Sequence, residues 1–404
     1  MNHAPWMPRF SADPNDIYTQ MFKLDGSAIG RLSGLRVAIK DLYDVLGQQT
    51  LASQHSRRFE APAKQHAIAV QQLLNAGVQL VGHTVSTQLA YSGVGQNPEF
   101  GESRSLWSPD MEPRLAGGST RGGALAVAAG LAELALGTDT GGSCRIPAAC
   151  NGLYGVKYSA AAVSLKGCRA LSSSLDSAGL MAAQWDHLVA GSEALLGVSV
   201  PVSSGPQTFV VPAHAMVDLD PTVEWQFNWL VDLLTQAGHQ VVRQPQPFET
   251  QLAMLLQAPS IVVAEAFAAY RRGEMVGVSD QLVLARLRAG SGISREGLGL
   301  AYRLRDELIE AYTCDLQQAW VLMPTLPCLP PKLSEVALPE GFTQWNQALL
   351  RNPSLINLAD GCAVSLPLSN SFPVSASIAS FSGNDANLLA LAGAVNQLIV
   401  EQTG

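Results

Sequence analysis

LAGGSTRGGALAVAAGLAELALGTDTGGSCRIPAACNG, residues 115–152, reads as loop, helix, strand and loop in succession. A glycine-dense loop at 117–123 leads into ALAVAAGLAEL, an apolar helix candidate. LALGT (134–138) is a short apolar run of buried-strand length that ends in the glycine turn at 141–142. Pro147 then fits the first turn of a following helix. Working outward, GLRVAIKDLYDVLGQ (34–48) gives another buried strand ending at Lys40 and Asp41. HAIAVQQLLNAGVQLVGHT (66–84) has helical spacing through Leu74, a stop at Gly77 and the strand VQLVG. Such alternation predicts an α/β fold whose sheet is mostly parallel and covered by helices. Residues 196–320 read as mainly helical, with VEWQFNWLVDLLTQAG (223–238) clearly amphipathic. Strands are expected again at the start of 321–337 and over 373–380, and a closing helix over 386–400. No break in composition divides the chain, so one domain is expected.

The chain has 404 residues, of which 47% are hydrophobic and 14% charged, enough apolar material for a large core. A net charge of −8 without any Lys/Arg run argues against a nucleic-acid partner. Cys144, Cys150, Cys168, Cys314, Cys328 and Cys362 are scattered without a CxxC pair, which predicts reduced thiols and no zinc site. MNHAPWMPRFSADPND lacks the pattern of a secretory signal, so a cytoplasmic protein is expected. The most apolar windows, 122–137 and 388–400, fall short of a membrane span. The expected partners are a small molecule and, at most, a second copy of the chain as a homodimer.

A serine hydroxyl is a weak nucleophile unless a base lies within reach and backbone donors surround the developing oxyanion. GTDTGGS supplies the second requirement. Its glycines let consecutive N–H groups turn towards one point, so Ser143 is the candidate nucleophile and the N–H groups of Thr140, Gly141, Gly142 and Ser143 are the candidate oxyanion donors. None of the seven histidines occupies a comparable loop. Lys40, at a buried strand end, is the better base if desolvation lowers its pKa from about 10.4 by a few units. Ser119 would then relay the proton from Ser143 to Lys40. No GxxxxGK[ST] follows a strand, so a phosphate-binding reading of the glycine loops is weak.

GGSTRGGALAVAAGLAELALGTDTGGSCRIPAACNGLYGVK resembles the signature of the amidase signature hydrolases, whose pattern is GGSS-G-G followed by GTDTGGS-x-R-x-PA. VAIKDLYDV resembles the family's lysine motif. The likeness continues through LAYSGVGQN (89–97), SLDSAGLMA (174–182), MPTLPCLPP (323–331), NLADGCAVSLPLS (357–369) and PVSASIASFSGND (373–385). It implies a single domain over 1–404 with a central mixed sheet flanked by helices, a core at about 25–195 and 320–404, and a variable helical covering at about 196–319. It also implies a Ser143–Ser119–Lys40 triad with a cis Gly118–Ser119 peptide, cleaving amides through an acyl-enzyme without metal or cofactor. Within the family, IKDLYDV, LAYSGVGQN and GCAVSLPL look most like short plant-type indole-3-acetamide hydrolases, which suggests a small primary amide such as an arylacetamide and release of ammonia.

Individual residues carry narrower expectations. Asp139 and Arg145 are expected to pair and hold the nucleophile loop, Thr120 stands where the family has its second serine, and Ala90 falls at an acyl-pocket position. Cys144 reads as apolar filling and His83 as a structural residue. Arg121, unusual beside a relay serine, is expected to contact a substrate carboxylate, to block the pocket or to point into solvent. Two other readings stay open on sequence: an amidotransferase A-type subunit, and a catalytically silent binding protein on the same fold.

Overall fold

The computed structural model describes residues 14–108, 112–270, 275, 277–369 and 373–403. Among these residues eleven strands form one sheet: β1 (Tyr18–Asp25), β2 (Arg36–Lys40), β3 (Gln79–Thr84), β4 (Leu134–Asp139), β5 (Tyr154–Lys157), β6 (Ser177–Ala182), β7 (Thr208–Val210), β8 (Gln240–Val242), β9 (Trp320–Pro324), β10 (Cys362–Pro367) and β11 (Ser375–Ser380). Their order is β1-β3-β2-β4-β6-β5-β10-β11-β9-β7-β8. β2 runs parallel to β3 and β4, and β7 is parallel to β8 and β9. The other neighbours are antiparallel. The mostly parallel sheet expected from alternation is thus corrected to a mixed one. β5 and β6, and β10 and β11, are joined without a crossover helix, and without one the returning strand lies antiparallel.

The helices are α1 (Pro14–Ile17), α2 (Ile68–Asn75), α3 (Arg121–Ala128), α4 (Arg145–Cys150), α5 (Trp185–Leu196), α6 (Pro221–Gln236), α7 (Phe248–Gln257), α8 (Ile261–Tyr270), α9 (Gln281–Ala289), α10 (Arg295–Asp315), α11 (Pro339–Leu358) and α12 (Asp385–Thr403). α3 is shorter than its apolar run: the chain turns at Gly130, where φ is +68°, and Leu134 already belongs to β4. The stretch 196–320 is not only a helical cover, because TFV and QVV add β7 and β8 to the sheet edge; three residues are too few to display a period. Among the described residues no single helix is long and apolar enough to cross a membrane.

Two helical layers cover the sheet. α2, α5, α6 and α12 bury Leu73, Leu188, Phe227 and Leu388 in one core with Val37 and Ile39 of β2. Ala38, between them, belongs to a different core with Ala124 and Leu125 of α3. Side chains alternate along a strand, so Lys40 shares the face of Ala38, the side on which α3 lies. β2 and β4 pair Ile39 with Leu136, which brings the end of β2 level with the segment that leads into GTDTGGS.

Candidate active site

Lys40 is fully buried, and its Nζ lies 2.8 Å from Ser119 Oγ, 2.8 Å from Thr138 Oγ1 and 3.3 Å from Thr138 O. Burial lowers its pKa, and the thiols of Cys144 and Cys168 and the carboxylates of Asp139 and Asp176 oppose this only in part, leaving a value of about 8. A neutral amine has two N–H donors and one lone pair. The two Thr138 oxygens can take the donors, which leaves the lone pair for the Ser119 hydroxyl.

Ser119 is buried in the loop that enters α3, and its peptide bond to Gly118 is cis. The Gly118 N–H donates to Gly93 O at 2.8 Å, and the Thr87 N–H donates to Ser119 O at 3.2 Å. The next residue joins the two serine loops directly, for the Thr120 N–H donates to Ser143 O at 3.2 Å. Arg121 does none of the things expected of it. It is fully buried, away from solvent, and its guanidinium donates to the carbonyls of Gly95 (3.2 Å), Phe100 (2.7 Å) and Gly101 (3.1 Å). A long donor fork placed at a helix start is thereby spent on the 95–101 loop, outside the cavity described below.

The Ser143 loop is built around Asp139, at the end of β4. Arg145 grips its carboxylate with two bonds, Nε to Oδ2 at 3.1 Å and Nη2 to Oδ1 at 2.9 Å, and neither side chain reaches solvent. The Gly142 and Cys144 N–H groups donate to the same carboxylate at 2.8 and 3.1 Å. Burial pushes the Asp139 pKa up, but the charge and hydrogen bonds of Arg145 outweigh it and hold the group well below the usual carboxylate range. Asn357 of α11 completes the arrangement: its Nδ2 donates to Asp139 O at 2.9 Å, and its Oδ1 accepts from Arg145 Nη2 at 2.6 Å. Cys144 is buried among Ala124, Ala148 and Met181, with its thiol pushed up to about 12, in keeping with filling rather than nucleophilic chemistry. His83 is likewise buried and lowered to about 4, with Nε2 3.0 Å from Tyr43 O.

Ser143, Thr140, Gly141 and Ala90 line one cavity of about 230 Å³. Gly142 is absent from this wall. Its N–H donates to Asp139 Oδ1 at 2.8 Å and its φ is +124°, which sets it apart from the other three N–H groups expected to face the oxyanion. The rest of the wall is mainly aliphatic, from Leu171, Leu175, Leu256, Val262, Val263 and Leu350. One charged side chain joins it. Arg286 of α9 stacks 4.2 Å above the Tyr91 ring and donates to Tyr91 O at 2.6 Å. Leu256, Ser260, Arg286, Leu350 and Ser354 also border an outer cavity of about 840 Å³, so the inner chamber adjoins a wider vestibule.

Of the residues expected in the site, Lys40 contacts Ser119, Asp139 pairs with Arg145, and a backbone bond from Thr120 ties the Ser119 loop to Ser143. Thr138, Asn357, Asp176 and Arg286 join them without having been expected from the sequence. Thr138, Asp176 and Asn357 stand inside the stretches that resemble the family and carry polar side chains, the available signal; Arg286, on a helix of the variable region, offers none.

The amidase family model matches residues 10–389. A 2-amino-5-chloromuconic acid deaminase of Comamonas testosteroni is 30% identical over 93% of this chain and 83% of its own length. Amidase 1 of Arabidopsis thaliana is 30% identical over 89% and 92%. A solved amidase structure superposes with a TM-score of 0.80 at 30% identity, over 93% of this chain and 86% of that one. Sequence and architecture agree with each other over almost the same span, and the chain belongs to the amidase family, as a hydrolase of carbon–nitrogen bonds other than peptide bonds.

Proposed function

We propose that the protein hydrolyses a small carboxylic acid amide to the acid and ammonia, with Ser143 as nucleophile, Ser119 as relay and Lys40 as base. The observation that carries this is the buried Lys40 amine at 2.8 Å from Ser119 Oγ, with the Ser119 loop hydrogen-bonded to Ser143. Neutral Lys40 takes the Ser119 proton while Ser119 takes that of Ser143, and the Ser143 oxygen bonds to the amide carbon. The oxyanion faces the N–H groups of Thr140, Gly141 and Ser143. The proton returns through Ser119 to the leaving nitrogen, the carbon–nitrogen bond breaks and ammonia departs. Water then adds to the acyl-enzyme by the same relay, releasing the acid and restoring Ser143. No cofactor is required by these steps.

The aliphatic wall suits an acyl group of arylacetyl size, as the likeness to indole-3-acetamide hydrolases suggests. Arg286 favours a second reading, an acyl group that ends in a carboxylate, and the muconic acid named for the Comamonas relative carries such a group. The burial of Arg286 beside Tyr91 does not remove its remaining donors. Arg121, whose side chain could have closed the pocket of a catalytically silent protein, is held on the 95–101 loop and leaves the cavity open. Ammonia release from phenylacetamide, indole-3-acetamide and the mono-amides of short dicarboxylic acids tests these readings. Ser143→Ala is expected to abolish turnover of all of them, and Arg286→Gln to raise KM at least about tenfold for the dicarboxylic mono-amides alone. Turnover retained in Ser143→Ala refutes the proposal.

A further inference from the structure

The aliphatic wall and the Ser143 loop are joined by a continuous set of hydrogen bonds that amide cleavage as described above does not use. It begins at Glu265 of α8, two residues beyond Val263 of the cavity wall. Glu265 Oε1 accepts from Tyr302 OH of α10 at 2.6 Å, while Oε2 accepts from Ser172 Oγ at 2.5 Å and from the Ser174 N–H at 3.0 Å. The segment between those serines and β6 is closed by Asp176, whose Oδ2 accepts from the N–H groups of Leu171 and Ser172 at 2.8 and 3.1 Å. Its other oxygen reaches across to the nucleophile loop, accepting from Thr140 Oγ1 at 2.6 Å. Leu171 and Leu175, carried by the same segment, line the cavity with Thr140 and Ser143.

Each carboxylate thus accepts three hydrogen bonds, Asp176 buried and Glu265 half-buried, and among the described residues neither forms an ion pair. Burial and multiple charge-assisted bonds make such a carboxylate a rigid joint rather than a solvated charge. Asp176 fixes the residue whose N–H is the first of the proposed oxyanion donors, and Glu265 fixes the segment that holds Asp176.

We infer that Glu265 and Asp176 are positioning residues that act in series on Thr140, so that the helix contacting the acyl group also sets the geometry of the oxyanion donors. This rests on Ser143 being the nucleophile. In this arrangement a substrate that seats badly against α8 loses rate as well as affinity, which makes the acyl group's identity readable in kcat.

The test compares wild type, Asp176→Asn, Glu265→Gln and the double variant, by amide turnover and by the rate at which a short-chain fluorophosphonate, too small to fill the aliphatic cavity, modifies Ser143. Asp176→Asn is expected to slow both by about 10²-fold, the scale of one lost oxyanion donor, and Glu265→Gln by about tenfold, with KM changed less than about twofold. Because the two residues act in series, the double variant should be no slower than Asp176→Asn within about twofold. Should Glu265→Gln fail to fold, Ser172→Ala severs the same contact and is expected to give the same pattern. Unchanged fluorophosphonate reactivity in Glu265→Gln or Ser172→Ala, with only KM raised, would mean that Glu265 merely shapes the wall and would overturn the inference, as would strictly multiplicative losses in the double variant. A wild-type protein unreactive at Ser143 instead defeats the nucleophile assignment and this inference with it.

Discussion

An ammonium would give Lys40 three donors for three oxygens, an amine two donors and a lone pair, and burial selects the amine as the pH rises past about 8. Its folded pKa lies below the ordinary value of about 10.4, so the neutral base is populated at a pH where an exposed lysine would remain charged. The sign is then fixed: kcat/KM is expected to rise about tenfold per pH unit on the acid side, bend near about pH 8 and level above it. Lys40→Arg, which cannot lose its proton, should have no such limb and a rate lower by orders of magnitude. A profile that falls between about pH 7 and 9 would exclude Lys40 as the base. These residues were legible because their chemistry needs particular side chains at particular intervals: a serine framed by glycines, and a lysine at a strand end. Arg121 was misread for an equally physical reason. A sequence says which side chain lies next to the relay, but not that three backbone carbonyls of the 95–101 loop stand within its reach.

At the level of elements, the site is a junction between the ends of β2 and β4 and the entrances to α3 and α4. Asp139 is the residue on which this junction turns, since it holds Arg145, two loop N–H groups and Asn357 at once. Asp139→Asn keeps the shape but leaves the Arg145 charge buried without its counter-charge, which is expected to cost about 3–5 kcal/mol of stability and to depress turnover, read by denaturant unfolding and kcat. A fully stable variant with wild-type kcat would show that the pair is dispensable. Strand β2, helix α2 and strand β3 were legible from period and punctuation, as was the amphipathic α6. β7 and β8 were not, because their three residues pair at the sheet edge only once α6 packs behind them, a tertiary cause with no local trace. The clamp by Asn357 was hidden for the same reason, for it reaches Asp139 from 218 positions away along the chain.

Across the whole molecule, one sheet spans the first described strand and the last, and α12 closes the same core that α2 opens. Leu388→Ala, at a fully buried position in that core, is expected to cost about 2–5 kcal/mol while leaving KM unchanged, because the cavity beside Ser143 lies on the opposite helical layer. A raised KM in that variant would mean that the two layers are coupled. Catalysis by the proposed route requires that buried Lys40 activate Ser143 through Ser119. Its most direct test is intact-mass analysis of the wild type and of Ser143→Ala after exposure to a short-chain fluorophosphonate between about pH 6 and about pH 9. A single adduct on Ser143, absent from the variant and forming faster up to about pH 8, is the predicted result. Folded wild-type protein that takes no label, or a label that persists in Ser143→Ala, would contradict it.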